Sequence, residues 1–153
     1  MRSRLIILVA ALTQWTAAQP FHWPPLDAAA RAAQSRPNFA GIWETPTGVV
    51  FAVAQDDKTL TLRIGPGAGL AAVTVVHDLS SNESRNVTGS TVTLSKTTWD
   101  ADRLIITEMT TLAGDAKRGR VSVWSLKSVG ELTIETTFAE DPGHPTRTTL
   151  RKK

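Results

Sequence analysis

Apolar and polar residues alternate in short runs from residue 39 to the end of the chain, and these runs are rich in Val, Ile, Thr and Leu. Such alternation is typical of β-strands that bury one face and expose the other. Turn-forming residues separate the runs at regular intervals. The pattern predicts an all-β domain with strands at roughly residues 39–55, 59–64, 71–78, 91–98, 103–111, 119–126, 131–138 and 146–152.

The first predicted strand contains the turn-like sequence Thr45-Pro46-Thr47-Gly48. This tetrapeptide is either a kink in one long strand or a tight hairpin between two strands, and the sequence leaves both readings open. An up-and-down barrel that closes antiparallel needs an even number of strands, which favours one kinked strand. The predicted fold class is therefore a single antiparallel up-and-down β-barrel of about eight strands.

The first 18 residues have the features of a secretory signal peptide. Two arginines precede a short apolar run, Leu5–Leu12, which is too short to span a bilayer. Thr16-Ala17-Ala18 supplies the small residues of a cleavage site. We therefore expect a mature chain that begins near Gln19, and a secreted or periplasmic location without a stable membrane anchor.

Residues 19–37 are rich in Pro and Ala and are expected to form a linker that could include a short helix. Residues 38–153 are expected to form the barrel domain. The chain has 17 Lys and Arg against 14 Asp and Glu, and loss of the two leader arginines leaves it nearly neutral. This balance does not favour a nucleic-acid partner. Without cysteine, the domain must be stabilised by its core alone.

The first and last predicted strands carry residues that could meet where the barrel closes. Phe39, Gly41 and Trp43 share one face of the first strand, and a ring two residues from a glycine suits a place where another segment comes close. Arg147 and Arg151 share one face of the last strand. A Gly-x-Trp in the first strand crossed by an Arg from the last resembles the lipocalin-like (calycin) barrels. The resemblance implies that Gly41, Trp43 and Arg151 close one end, because an antiparallel last strand brings its final residues to Trp43.

The resemblance covers nearly all of residues 38–152 and is to the small secreted bacterial type, whose function is unassigned. It implies a lipocalin-like barrel and rests on four phrases: Phe39-Ala-Gly-Ile-Trp43; Asp78-Leu-Ser-Ser-Asn-Glu83-Ser-Arg85-Asn86; Trp99-Asp100-Ala-Asp-Arg-Leu104; and Trp124-Ser-Leu126 followed by Glu131-Leu132-Thr133.

The interior of the predicted barrel could bind a small apolar ligand. Alternation selects seven candidate ligand-binding residues that would face inward: Phe51, Leu62, Val75, Leu94, Ile106, Trp124 and Ile134. An eight-stranded barrel can also be filled completely by its own side chains. The leading hypothesis is a secreted lipocalin-like binding protein with a small apolar ligand. The alternative is a protein-interaction or inhibitor-like barrel that acts through its mouth loops and holds no ligand.

Residues with the chemistry of an active site are sparse. His22, His77 and His144 lie far apart in the sequence and lack metal-ligand spacing. No nucleophile, base and orienting residue can be assembled, which makes an enzyme the least favoured function class. We therefore predict no catalytic residues, no metal site and no cofactor. The sequence leaves open the ligand, the partner, the oligomeric state and whether the interior is empty.

Overall fold

The computed structural model describes residues 36–65 and 72–153. The predicted signal peptide, 1–18, and most of the predicted linker lie outside the described residues. The described chain forms ten β-strands: β1 Gly41–Glu44, β2 Val50–Gln55, β3 Thr59–Ile64, β4 Val73–Asp78, β5 Glu83–Thr88, β6 Thr91–Asp100, β7 Arg103–Thr111, β8 Lys117–Ser128, β9 Glu131–Phe138 and β10 Asp141–Lys152. No helix in this part of the chain is long and apolar enough to cross a membrane.

The ten strands form one antiparallel sheet in the order β4-β3-β2-β1-β10-β9-β8-β7-β6-β5. Every pair of consecutive strands except β4 and β5 is hydrogen-bonded, and β1 pairs with β10 to join the two halves. The two edge strands, β4 and β5, lie side by side without a backbone ladder between them. The sheet is thus a nearly closed up-and-down barrel, which confirms the all-β antiparallel class predicted from the sequence.

The prediction of eight strands was wrong, and two segments account for the difference. Thr45–Gly48 is a true turn, because the Gly48 N–H donates to the Thr45 carbonyl at 2.9 Å and Gly48 has a φ of 83°. A left-handed φ of this kind favours glycine. β5 was missed because its sequence, Glu-Ser-Arg-Asn-Val-Thr, is polar and largely exposed. The strand number stays even, so β1 and β10 still meet antiparallel.

Side chains join the edges of the sheet where β4 and β5 meet. The amide of Asn86 accepts a hydrogen bond from the Val76 N–H at 2.8 Å and donates one to the Val76 carbonyl at 2.9 Å. The Ser84 hydroxyl accepts from the Asp78 N–H at 2.6 Å. The seam therefore has side-chain hydrogen bonds in place of a backbone ladder, which satisfies part of the otherwise unpaired edge.

The barrel has two ends. We call the end with the β7–β8 turn, Leu112–Ala116, the mouth, and the end with the β6–β7 turn, Ala101–Asp102, the base. Side chains fill the base. The Phe39 ring stacks on Trp99 with centroids 6.1 Å apart and meets Trp124 edge-on at 5.8 Å. Four fully buried leucines complete the cluster: Leu60, Leu104, Leu132 and Leu150.

Candidate ligand-binding site

A cavity of about 270 Å³ lies inside the barrel on the mouth side of the base cluster. Inward-facing residues of β2, β3, β4 and β7 to β10 line it. Because side chains alternate along a strand, one face of each of these seven strands contributes to the wall. Seven of the lining residues are apolar: Phe51, Leu62, Ile64, Ile106, Trp124, Ile134 and Leu150.

The structure brings together most of the residues that alternation selected. Five of the seven candidates line the cavity: Phe51, Leu62, Ile106, Trp124 and Ile134. Val75 pairs with Leu62 and packs against the core without lining the cavity. Leu94 lies on the outer face, because it pairs with Met109, the neighbour of the inward-facing Glu108. The inward residues of β6 are its odd-numbered ones, which include the buried Ser95 and Thr97.

An ion pair forms part of the cavity wall. Glu108 on β7 stands directly opposite Arg120 on β8, and the Arg120 Nε donates a hydrogen bond to Glu108 Oε2. The Glu108 side chain is 3% exposed, whereas that of Arg120 is 45% exposed. A carboxylate this deeply buried requires a partner of opposite charge. Arg120 supplies that partner and leaves the pair neutral.

A histidine faces the same cavity from β4. His77 is 3% exposed, and its Nδ1 is hydrogen-bonded to the Ser95 hydroxyl at 2.9 Å. Burial lowers the pKa of His77; the charge of Glu108 opposes this shift and that of Arg120 adds to it. The neutral imidazole is therefore favoured in the folded barrel. In the described part of the chain, Nε2 has no hydrogen-bond partner, so this nitrogen is free to meet a ligand.

Hydroxyl groups complete the polar part of the wall. Ser122 on β8 stands opposite Thr136 on β9, with their oxygens 3.3 Å apart, and Thr148 on β10 also lines the cavity. The sequence analysis missed this polar half because it selected apolar residues alone. The sequence could have indicated those on β7 to β10, since each is an even number of positions away from an apolar lining residue of its own strand. Residues with this spacing lie on the same face of a strand. Glu108 follows Ile106 by two positions, for example.

The base is closed by a different cation from the one we expected. Trp43 pairs with Lys152, whose Nζ lies 5.6 Å from the indole centroid. Arg151 stands opposite Glu44 instead, on the other face of the strand from Trp43, because successive side chains alternate. A Cβ at Gly41 would lie 2.9 Å from Lys152 Cε, and the φ of Gly41 is 150°. Gly41 thus provides the close approach that the Gly-x-Trp sequence predicted.

A second hollow, of about 500 Å³, lies outside the barrel at the base. Arg36 lies over the Trp99 ring there, 5.3 Å from its centroid, and Asp56 and Asp57 face the same space. The Trp99 Nε1 is buried without a hydrogen-bond partner among the described residues. The interior cavity, in contrast, is surrounded by seven strands.

No cluster of three or more His, Cys, Asp or Glu side chains in residues 36–65 and 72–153 is arranged to hold a metal ion. His77 is inside the barrel, whereas His144 is exposed on β10 and bonded to Asp141 at 2.7 Å. His22 lies outside the described residues.

The described chain thus forms an antiparallel up-and-down barrel with an interior cavity. Among solved structures, the chain is similar to a "secretary abundant heat soluble (SAHS) protein from Ramazzottius varieornatus". The TM-score is 0.58 at 12% sequence identity, over 75% of this chain and 95% of the other. At this identity the likeness shows the fold alone. No protein-family model matches the chain, and no curated protein matches it.

Proposed function

We propose that this protein is a secreted binding protein that holds a small, mainly apolar ligand inside the barrel. The observation that carries the proposal is the interior cavity of about 270 Å³ with seven apolar residues in its wall. Sites for small molecules are typically concave, mostly apolar and roughly 300–1,000 Å³ in volume. The cavity is slightly smaller than the lower limit of that range, which favours a small ligand.

The wall supplies a driving force for such a ligand. Each methylene group that moves from water into an apolar site contributes about 0.8 kcal/mol. Trp124 and Phe51 add flat aromatic surfaces, which pack well against a chain or a ring. The exposed guanidinium of Arg120 lies towards the mouth, so a ligand can enter from that end without crossing the filled base.

A neutral fluorescent probe tests this proposal. N-phenyl-1-naphthylamine should bind with a saturable rise in its emission and quench the fluorescence of Trp124. The variant Ile134→Phe puts extra carbon atoms into the cavity and should weaken binding by about tenfold or more. The matched control Ile105→Phe makes the same change on the outer face of β7 and should leave the affinity unchanged. A linear, unsaturable signal, or equal loss in both variants, would contradict a site inside the barrel.

The secreted location is supported by the sequence of residues 1–18. N-terminal sequencing of protein collected from the culture medium or periplasm should begin at or near Gln19. Recovery of the full-length chain with Met1 intact from the cytoplasm would overturn this part of the proposal.

A further inference from the structure

On β7 to β10, the polar residues of the cavity lie on the mouth side of the apolar ones. Along β7, Glu108 is two residues closer than Ile106 to the β7–β8 turn at the mouth. Along β8, Arg120 is four residues closer to the same turn than Trp124. Along these strands a ligand therefore meets apolar walls towards the base and the Glu108–Arg120 pair towards the mouth, whereas Phe51 and Ile64 keep the wall apolar at the mouth ends of β2 and β3. This arrangement fits an elongated molecule with an apolar body and one polar head group.

The charge balance of the cavity disfavours an ionised head group. A ligand carboxylate that accepted from the N–H groups at the end of the Arg120 guanidinium would place a second negative charge beside Glu108, whose side chain is 3% exposed. A ligand ammonium group that donated to Glu108 Oε1 would likewise place a second positive charge beside Arg120. Either ion would give the wall of the cavity a net charge, which is costly beside a carboxylate that is so deeply buried. His77 adds no compensating charge while its ring is neutral.

The same pair offers free hydrogen-bonding positions to an uncharged group. Glu108 uses Oε2 to accept from Arg120, and no hydrogen bond among the described residues uses Oε1. Arg120 uses Nε, so the N–H groups at the end of its guanidinium have no partner among those residues. A hydroxyl group can donate to Oε1 and accept from the guanidinium at once, and so can a carboxamide. A carboxylate can only accept, and an ammonium group can only donate.

We infer that the ligand of this barrel has an uncharged head group that both donates and accepts hydrogen bonds, a hydroxyl or a carboxamide, held between Glu108 and Arg120 at the mouth end of an apolar body. This inference rests on the proposed function and specifies the ligand class of the same cavity. Glu108 selects against anions through its buried charge, and Arg120 selects against cations.

The test compares head groups on one alkyl chain. The affinities of the full chain for 1-octanol, octanamide, octanoate and octylammonium are measured by competition against N-phenyl-1-naphthylamine at neutral pH. The inference predicts that the alcohol and the amide bind at least about tenfold more tightly than either ion. Equal affinities, or tightest binding of octanoate, would overturn the inference and leave the proposed cavity site standing. Failure of the fluorescent probe and of all four compounds to bind would overturn the proposed function itself.

Removal of the negative charge from the cavity wall gives a second, independent test of the preferred head group. Glu108→Gln keeps the shape of the side chain and frees the charge of Arg120, so octanoate should gain about tenfold or more relative to 1-octanol. The control Glu135→Gln makes the same change in an exposed ion pair with Arg147 and should preserve the wild-type order of affinities. An unchanged order in Glu108→Gln would overturn the assigned role of Glu108. If that variant does not fold, the order in which the wild-type protein prefers the four compounds still tests the inference.

Discussion

Lys152 Nζ lies 5.6 Å from the centroid of the Trp43 indole, directly across the junction of β1 and β10. This junction joins the first and last strands of the barrel, so it determines whether the sheet closes here. The indole N–H donates to the Phe39 carbonyl at 2.8 Å, which attaches the segment before β1 to the same ring. Trp43 therefore holds together the lead-in segment, the first strand and the last strand at the base.

Removal of the indole should destabilise the protein strongly. Trp43→Ala leaves a cavity in the base cluster and should lower the free energy of unfolding by about 3–5 kcal/mol. Lys152→Ala should cost less, because a cation over an indole at a partly exposed site contributes roughly 0.5–1 kcal/mol. A double-mutant cycle between Trp43 and Lys152, measured by urea unfolding, should give a coupling energy of that size.

The adjacent Arg151 provides the control for this cycle. Arg151 stands opposite Glu44 on the outer face, so the cycle between Trp43 and Arg151→Ala should show coupling close to zero. Coupling to Arg151 instead of Lys152 would contradict the register of β1 and β10.

The seam between β4 and β5 should depend strongly on the Asn86 side-chain amide, which makes two of its hydrogen bonds. Asn86→Ala removes both hydrogen bonds to the Val76 backbone and should lower the free energy of unfolding by about 1–2 kcal/mol. The amide proton of Val76 should then exchange faster with solvent, because its acceptor is lost. Asn82→Ala is a matched control, since Asn82 makes one long hydrogen bond of 3.4 Å to Asp78. Equal effects of the two substitutions would mean that Asn86 does not hold the seam.

Stability should fall in mildly acidic solution because of His77. Its pKa is lowered in the folded state, so the unfolded chain binds a proton first as the pH drops below the ordinary value of 6.5. Protonation of the unfolded chain favours unfolding, by about 1.4 kcal/mol for each unit by which the folded pKa is lowered. The loss begins near pH 6.5 and continues until the folded pKa is reached; above pH 6.5 this contribution is constant.

The variant His77→Gln isolates this effect from the other titrating groups. The difference in unfolding free energy between wild type and variant, measured in urea from pH 8 to pH 5, should shrink as the pH falls. Glu108 and Arg120, which face His77, are unchanged in the comparison. A constant difference over the whole range would show that His77 has the same pKa in the folded and unfolded states.

The barrel was predictable from the sequence because alternation and turn residues are local signals. β7 was assigned with its observed bounds, and alternation placed Ile106 on the face that lines the cavity. The missing strand, β5, has no apolar face, so alternation could not reveal it. Thr45–Gly48 was ambiguous because its residues suit both a kink and a turn, and the hydrogen bonds that decide between them are visible only in the structure.

The polar half of the cavity was the larger omission. An inward-facing Glu or Arg is expensive unless it is paired, and a pair such as Glu108 and Arg120 is recognised only when the register of β7 and β8 is known. Arg151 was chosen because the resemblance implied an Arg and because an antiparallel last strand brings its final residues to Trp43. The strand direction was right, but the register, which a one-residue shift changes from one face to the other, places Lys152 opposite Trp43.

The isoleucine methyl groups can report directly whether the barrel binds a ligand inside its cavity. Ile64, Ile106 and Ile134 line the cavity, whereas Ile42 and Ile105 lie outside it. In a methyl NMR titration with 1-octanol, the three cavity isoleucines should shift together along one saturable curve, while Ile42 and Ile105 stay in place. Shifts confined to Ile42 and Ile105, or no saturable shift at any of the five, would contradict binding inside the barrel.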